Sequence, residues 1–545
     1  MSTPPPSAFL SASPSDAVVA AFGNRARAKR YDATLVQFAR AGAVTVAAAA
    51  RTETDRHGAY RLLHNPAVSP VVLAAAARAR ATARLPDHAG APALLALSDT
   101  TAVDLSHLAG AIAVTDADVG PIESRGRTPG FFAHATLLVA APGDGPGDGP
   151  GDGGAPRAHP QVLGLIGCDT FARAWAGPDK TDRDYRTLAP RDKEQGKWHR
   201  SRDHVVEAGL ATAPAREASP GEAGPRPCYW IGDREADAYP DLLDASERAC
   251  DFVVRVAQDR RVRAAPGYGG GGGGPQVISA LVASWAPDPV PLLVEVPAED
   301  GADARTARLA VRYGACFVDA PAKRGTYRPP NARAVLVGVV DVREVDPPRE
   351  PRALRTGAAW PADAAPAPIH WRLYCSRVPG DREAAARMVG YYAYRWRVEC
   401  LFATGKSRGF GAEGTQLRSG RALQNAAVMA MTAAAQRVER LCGARDGADL
   451  APAYEVLGYD DAAFLAAANA RVETPGTTVV NPHPPGTVSY VSWVVARFGS
   501  WTGLPSEGPC GSRRMARGYV RLAEFRAGYL AAMARPPDPC QESGQ

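Results

Sequence analysis

Two aspartates that follow apolar runs are the first candidates for chemistry in this chain. Asp99 stands after the run at 94–97 and Ser98, and Asp233 follows the run at 228–232. A carboxylate at the end of a buried strand destabilises the fold unless a partner offsets its charge, and Mg²⁺ prefers carboxylate ligands. Carboxylates are more concentrated around Asp233, because three of them stand within residues 233–237. A metal site and an ordinary cap or turn role are both open for these aspartates on spacing alone.

A third carboxylate, Glu399, lies in a segment with helical periodicity that runs from residue 381 to about residue 404. Tyr392, Arg395 and Lys406 surround it at helical spacing. On one continuous helix these four side chains would fall within a sector of roughly 60°. A phenol, a guanidinium and an ammonium would then flank the carboxylate. An exposed charged helix face with an ion pair between Arg395 and Glu399 would produce the same spacing.

Taken together, these segments resemble the insertion-sequence-four family of DDE transposases, and within it the branch of the transposon-five transposase. The Tyr-Arg-Glu-Lys signature of that family is matched by Tyr392, Arg395, Glu399 and Lys406. Five further segments match in family order between Phe22 and Arg440: Gly58-Ala59-Tyr60-Arg61 with Asn65-Pro66, Ser98-Asp99-Thr100-Thr101, Gly196-Lys197-Trp198, Gly232-Asp233-Arg234-Glu235-Ala236-Asp237 and Phe252-Val253-Val254-Arg255. The ordered set is specific, whereas each segment alone would be weak.

The resemblance implies a role for each matched residue. Asp99, Asp233 and Glu399 would be the catalytic residues and would hold two Mg²⁺ ions, with Mn²⁺ as a substitute. A pair of metal ions activates the attacking oxygen and stabilises the leaving oxygen of a phosphoryl transfer. The Tyr-Arg-Lys part of the signature would bind phosphates of DNA beside the cleavage site.

Two more aromatic or basic residues acquire expected DNA contacts from the same resemblance. Trp371 would stack on a flipped base, although a place in the core of a β-rich insert would also explain it. Arg255 would handle the DNA strand, although a salt-bridge role is an equal alternative.

The N-terminal region is helical in pattern and basic from Phe22 to about Arg84. Charge alone favours a solvated helix face here. The resemblance implies instead a DNA-binding segment whose contacts are Arg25, Arg27, Lys29, Arg30, Tyr60 and Arg61.

The elements that would position these residues predict an α/β fold, because strand-like and helical segments alternate before a β-rich block. The resemblance makes this a ribonuclease-H-like mixed-sheet core interrupted by a β-rich insert, with helical N-terminal and C-terminal domains. The predicted boundaries are a disordered tail at 1–20, the DNA-binding domain at 21–90, the first part of the core at 91–265, the insert at 266–376, the second part of the core at 377–425 and a dimerisation region at 426–545. Low-complexity tracts at 142–153 and 269–274 receive no predicted structure.

The composition of the whole chain limits its class without naming its function. The 545 residues carry a formal net charge of +6 and are 46% hydrophobic, which is typical of a folded soluble protein. The nine cysteines form no CxxC pair, so scattered reduced thiols are expected rather than a zinc ribbon. The apolar run at 41–50 is too short to span a bilayer. We expect a cytoplasmic protein that associates with the bacterial nucleoid when it is bound to DNA.

The expected activity is cut-and-paste DNA transposition by a homodimer. It would hydrolyse strands of double-stranded DNA at terminal inverted repeats and transfer them to target DNA. Two alternatives remain open on the sequence. One is a metal-dependent endonuclease without strand transfer, and the other is a domesticated DNA-binding protein that does not cleave.

Overall fold

A mixed α/β fold built on one extended sheet is found in the computed structural model of the chain. The structure describes residues 14–112, 116–123, 126–142, 160–175, 187–211, 226–268, 274–296, 305–322, 326–345, 368–406, 410–445, 449–457, 459, 461–473, 479–504 and 510–533. The tracts at 142–153 and 269–274 therefore fall almost wholly outside the described residues.

The sheet contains twelve strands within the described residues. They are β1 (Leu94–Asp104), β2 (Gly120–Pro121), β3 (Pro129–Ala140), β4 (Gln161–Phe171), β5 (Cys228–Gly232), β6 (Asp251–Arg255), β7 (Arg261–Ala264), β8 (Gln276–Val277), β9 (Leu292–Val296), β10 (Arg305–Val318), β11 (Val335–Glu344) and β12 (His370–Cys375).

Five of these strands form the part of the sheet that carries the candidate site. β4, β3 and β1 are antiparallel neighbours, whereas β1, β5 and β6 are parallel. The resulting order, β4-β3-β1-β5-β6, is consistent with a ribonuclease-H-like core. β1 is central because its Leu94–Leu97 segment is wholly buried and pairs with a strand on each side.

The sheet continues beyond β6 into the residues for which the sequence predicts a β-rich insert. β12 pairs antiparallel with β6, and β11, β10 and β7 follow outward in that order. The apolar runs predicted as strands in this block are confirmed as β9 to β12. The sequence does not predict β8 and helix α8 within these residues, or the short β7, which precedes the predicted boundary at residue 266.

Helices cover both faces of the sheet. The described helices are α1 (Asp16–Phe22), α2 (Arg25–Ala41), α3 (Val46–Ala49), α4 (Glu53–Leu63), α5 (Pro70–Thr82), α6 (Gly196–Glu207), α7 (Tyr239–Glu247), α8 (Ile278–Ala283), α9 (Arg382–Ala393), α10 (Trp396–Gly405), α11 (Gly420–Ala434), α12 (Arg440–Ala444), α13 (Tyr454–Leu457), α14 (Ala462–Val472), α15 (Val488–Phe498) and α16 (Ser512–Met533). A π-helical turn, Ala435–Glu439, joins α11 to α12. One apolar cluster unites α6, α7 and α8 with one sheet face, and a second unites α9 to α11 and the terminal helices with the other.

Three expectations differ from these boundaries. Residues 16–20, predicted as part of a loose tail, begin α1 because Ser15 caps the helix and Val18 and Phe22 are buried. The predicted boundary at residue 425 falls inside α11, all but one of whose residues are buried.

None of the described helices is long and apolar enough to cross a membrane.

The third difference concerns the helix that carries the signature. The sequence predicted one continuous helix, but it is interrupted between α9 and α10. Tyr394 and Arg395 donate their backbone N–H groups to carbonyls three residues back, at Tyr391 and Tyr392, which tightens the turn. The calculated sector of roughly 60° therefore does not describe these side chains, because they are divided between two helices.

Candidate active site

Strand alternation brings the predicted carboxylates to one face of the sheet. Successive side chains on a strand point to opposite faces, and Asp99 shares its face with Leu95 and Leu97, which pack in the cluster of α9 to α11. Asp233 shares the same parity with Ile231. The two aspartates lie level with each other, each two residues beyond the Leu97–Ile231 pair of β1 and β5. α10 packs on β1 and carries Glu399 toward this edge.

Arg395 connects two of the three carboxylates directly. It lies at the N-cap of α10, and its Nη1 donates to Asp99 Oδ2 at 2.8 Å. Its Nη2 donates to Glu399 Oε1. The guanidinium therefore bridges a strand residue and a helix residue that are far apart in sequence, and it offsets part of their charge.

Burial determines the protonation tendencies of the site. The pKa of the Asp99 carboxyl is raised to about 6, mainly by burial. Arg395 and the Thr100 amide oppose this rise, whereas the charges of Asp233 and Glu399 contribute to it. Burial also raises the pKa of Asp233. Carboxyls with such raised values gain from a nearby cation, because a positive charge favours their ionised form.

The segment that follows Asp233 separates into two environments. Asp233 accepts a hydrogen bond from the Glu235 amide at 2.7 Å and caps a short 3₁₀ turn. The exposed Glu235 pairs with the Lys197 ammonium at 2.8 Å, and the Lys197 side chain is only 6% exposed. Lys197 belongs to the Gly196-Lys197-Trp198 segment that resembles the family, but the sequence assigns it no role.

Asp237 faces away from the site, although the sequence grouped it with Asp233 and Glu235. Its Oδ2 accepts from the amides of Ala257 and Gln258 at 2.7 and 3.2 Å, and its Oδ1 accepts from Arg260 at 2.5 Å. All of these partners lie in the loop after β6. Asp237 is therefore a structural brace rather than a third acid of the cluster.

The aromatic and basic candidates form a layer next to Arg395. Tyr392 is 4% exposed and hydrogen-bonds with Arg255 and Arg395. The Trp371 ring packs edge-on against Tyr392 with ring centroids 5.3 Å apart. Arg255 Nη2 also donates to the His370 carbonyl at 3.1 Å. The structure thus brings Trp371 and Arg255 next to Tyr392. Trp371 packs against a ring there, whereas Arg255 bonds to a backbone carbonyl.

Lys406 lies just beyond the last residue of α10, at its C-cap. Its Nζ donates to Thr101 Oγ1 at 3.1 Å and lies 3.3 Å from Glu413 Oε1. Glu413 in turn accepts from the Asp104 amide. Lys406 therefore stays on the β1 side of the site despite the end of the helix, and Thr101 and Glu413 are neighbours that the sequence did not identify.

The N-terminal candidates belong to other elements and do not contact this cluster. Arg25, Lys29 and Arg30 are exposed on α2, and Tyr60 and Arg61 are exposed on α4. Arg27 is half-buried and donates to the Phe22 carbonyl. The Arg30 side chain crosses Gly58, where a Cβ atom would lie 2.1 Å from its Nη1. Arg30 thus connects the two helices, whose exposed cations form the candidate basic surface of α2 and α4, and the acidic Glu53 and Asp55 are also exposed on α4.

The donor set fits a magnesium ion chemically. Three carboxylates offer hard oxygen ligands, and Asp99 and Asp233 have the raised pKa values that a cation would offset. Within the described residues, no three acidic, histidine or cysteine side chains are already grouped closely enough to hold a metal. Arg395 occupies the position between Asp99 and Glu399 in this arrangement, so metal binding requires its guanidinium to shift.

Comparison with known protein families identifies the same region. Residues 208–435 match the family model described as a transposase DDE domain. The matched range contains Asp233, Glu399 and the remainder of the Tyr-Arg-Glu-Lys signature, whereas Asp99 precedes it. The match supports a DDE-type transposase that acts on DNA.

Proposed function

We propose that this chain is a cut-and-paste transposase of the insertion-sequence-four family, close to the transposon-five branch. It is supported by one observation above the others: Asp99, Asp233 and Glu399 approach one sheet edge, and Arg395 joins two of them. These residues span about 300 positions of sequence, so a purely local structural role does not explain their convergence.

The metal requirement follows from the charge of the site. Asp99, Asp233 and Glu399 would hold two Mg²⁺ ions, or Mn²⁺ in their place. The ions would supply activation of the attacking oxygen and stabilisation of the leaving oxygen. The chain's own carboxylates fix the place of reaction, since in-line phosphoryl transfer depends on position and charge neutralisation.

The remaining residues bind and orient DNA. Arg395, released from its carboxylates, and Lys406 would bind phosphates on either side of the scissile bond. Tyr392 would hold Arg395 and Arg255 in place through its hydroxyl. Trp371 would exchange its edge contact with Tyr392 for stacking on an unpaired base, because base stacking on an aromatic ring contributes about 1–3 kcal/mol.

The assembly in this proposal is a homodimer on double-stranded DNA. Each protomer would bind one terminal inverted repeat through the basic surface of α2 and α4. The protein would work in the cytoplasm and associate with the nucleoid when it is bound to DNA.

The first test is cleavage of a duplex that carries the inverted repeats flanking the gene. With Mg²⁺, the wild-type chain should cut at the repeat ends. Asp233→Asn and Glu399→Gln should lower cutting by at least about 10³-fold, as expected when a ligand of catalytic metal is removed, and should still bind the repeat. Glu383→Gln is the matched control, because Glu383 is an exposed carboxylate on α9 whose side chain is 67% exposed. Undiminished cutting by either site variant would overturn the assignment.

A joining assay separates the transposase from a metal-dependent endonuclease. Pre-cleaved ends with free 3′-hydroxyls are incubated with a supercoiled plasmid and Mg²⁺. Covalent insertion into the plasmid is the expected result. Cleavage without insertion would favour the endonuclease, and end binding without either reaction would favour the domesticated DNA-binding protein.

A further inference from the structure

The two residues on either side of Asp99 point away from the catalytic face. Ser98 and Thr100 have the opposite strand parity to Asp99, so their side chains lie beneath α6. Beyond Leu97, β1 has lost its pairing with β5 and retains only its pairing with β3. The backbone that carries Asp99 is therefore held on one side only, and side-chain bonds have more influence on its position there.

Thr100 is the connection between the two faces. Its backbone N–H donates to Asp99 Oδ1 at 2.7 Å. Its hydroxyl shares a hydrogen bond of 2.9 Å with Nδ1 of His134, the residue directly opposite on β3. A continuous path thus runs from a buried imidazole through one threonine to the first catalytic carboxylate.

A histidine at position 134 is energetically unfavourable if the position serves only to fill the core. It is fully buried, and its ring packs edge-on against Trp198 of α6 at 4.8 Å. Burial lowers its pKa well below the usual value, so the ring is neutral. Within the described residues its Nε2 has no hydrogen-bond partner, which costs about 1–3 kcal/mol. Leucine would fill the position without that cost. Two interactions distinguish the histidine: its bond to Thr100, and the charge of Asp169, the residue opposite it on β4.

A second group of buried, hydrogen-bonded side chains is centred on Thr136, two residues after His134 on β3, and provides a comparison. Thr136 bonds with Ser98 Oγ at 3.2 Å and with His204 Nδ1 at 3.1 Å. His204 Nε2 then pairs with Asp169 at 3.3 Å. This set has similar burial and the same strand face, but none of its atoms bonds to a group that holds the Asp99 carboxylate.

We propose that His134 is a positioning residue which, through the hydroxyl of Thr100, fixes the Asp99 carboxylate in the orientation that binds a divalent cation. With Oδ1 held by the Thr100 amide, Oδ2 remains directed into the site, where it now meets Arg395. The inference rests on the proposed function, since it assigns the orientation of one of its metal ligands.

The experiment measures metal binding by thermal unfolding rather than by activity alone. The full chain is titrated with Mn²⁺, and the concentration giving half of the maximal rise in Tm is recorded. Thr100→Val and His134→Leu should raise that concentration about tenfold or more, as is typical for partners that orient a metal ligand. Thr100→Ser keeps the hydroxyl and should stay within about twofold of wild type by the same reasoning. Without metal, His134→Leu should melt no lower than wild type.

Thr136→Val is the matched control, because it removes a buried hydroxyl from the same strand face. It should lower Tm without changing the half-point of the Mn²⁺ titration. The inference is overturned if Thr100→Val and His134→Leu bind Mn²⁺ like wild type, or if Thr136→Val weakens binding as much as they do. Wild-type protein that binds Mn²⁺ but does not cut or join DNA would overturn the proposed function and leave the inference standing.

Discussion

Two aspartates four residues apart show how much a single side chain depends on distant partners. Asp233 stands at the candidate site with a pKa raised by burial, whereas Asp237 is 4% exposed and accepts hydrogen bonds from three residues of one loop. The surroundings of Asp233 disfavour its ionised form. The surroundings of Asp237 supply a guanidinium and two amides that bond to its carboxylate.

Opposite effects on stability are expected from the same substitution at these two positions. Asp237→Asn removes the negative charge that faces Arg260 and should lower the free energy of unfolding by about 2–4 kcal/mol. Asp233→Asn removes a charge that burial disfavours, so at pH 8 it should leave stability unchanged or raise it. Urea unfolding of both variants without metal measures the difference. Equal destabilisation by the two substitutions would contradict the division of roles.

The resemblance selects Asp99, Asp233 and Glu399, but the spacing of residues alone does not separate Asp233 from Asp237. The apolar runs predict the buried starts of β1 and β5, and alternation along each strand gives the face. Asp233 follows β5 as expected, whereas Asp99 lies within β1, which continues to Asp104 because its pairing with β3 continues. The distinction between the two aspartates arises from residues 257–260, which come from another part of the chain. The same reason hides His134, because its partner Thr100 is defined by the register between β1 and β3.

At the scale of elements, α10 contacts the π-helical turn after α11 through a buried charged pair. Arg397 of α10 is 2% exposed and lies 3.8 Å from Glu439, which is fully buried in the π-helical turn after α11. Both oxygens of Glu439 have no hydrogen-bond partner within the described residues. A π-helical turn and a poorly satisfied buried charge together indicate that this contact constrains the helix carrying Glu399.

The pH dependence of stability provides a test of that contact. Burial raises the pKa of Glu439 to about 7, against an opposing effect of Arg397. A raised carboxyl pKa gives stability that is fully present below the unfolded-state value near 4.5 and is lost as pH rises through the folded-state value. Between pH 5 and pH 8.5 the ionisation of Glu439 should therefore lower the free energy of unfolding by up to roughly 3 kcal/mol. Glu439→Gln should reduce this decline in urea-unfolding experiments.

Met431→Leu is a suitable control for that experiment, because it changes a fully buried side chain of α11 without changing charge. It should shift stability equally at both pH values. A Glu439→Gln variant with the same pH dependence as wild type would show that the carboxyl does not titrate in this range.

The interruption between α9 and α10 is the element that periodicity could not predict. Residues 382–405 read as one amphipathic helix because the turn at Tyr394 and Arg395 adds no proline or glycine to mark a break. Arg395 is drawn to Asp99 across the sheet edge, and this tertiary ion pair is absent from any local pattern. The end of α10 at Gly405, in contrast, agrees with the glycine that stands there.

At the scale of the whole molecule, a formal charge of +6 conceals an uneven distribution. Acidic residues gather at the sheet edge, while exposed basic residues lie on α2 and α4. In the proposed function this surface contacts the DNA backbone, and the affinity should then fall with salt by a slope near 0.9 for each phosphate neutralised. The number of contacts can therefore be counted from salt dependence.

A double variant, Lys29→Gln with Arg61→Gln, should reduce the slope of log Kd against log salt by about two units on duplex DNA. The loss should be similar for the flanking repeats and for unrelated DNA, because phosphate contacts carry no sequence information. Fluorescence anisotropy between 50 and 300 mM KCl, roughly the range in which such slopes are measured, provides the data. The matched control neutralises two exposed arginines outside this surface, Arg333→Gln with Arg471→Gln. If that pair lowers the slope equally, the charge acts through the whole molecule. If only the first pair does, α2 and α4 form the face that meets the DNA.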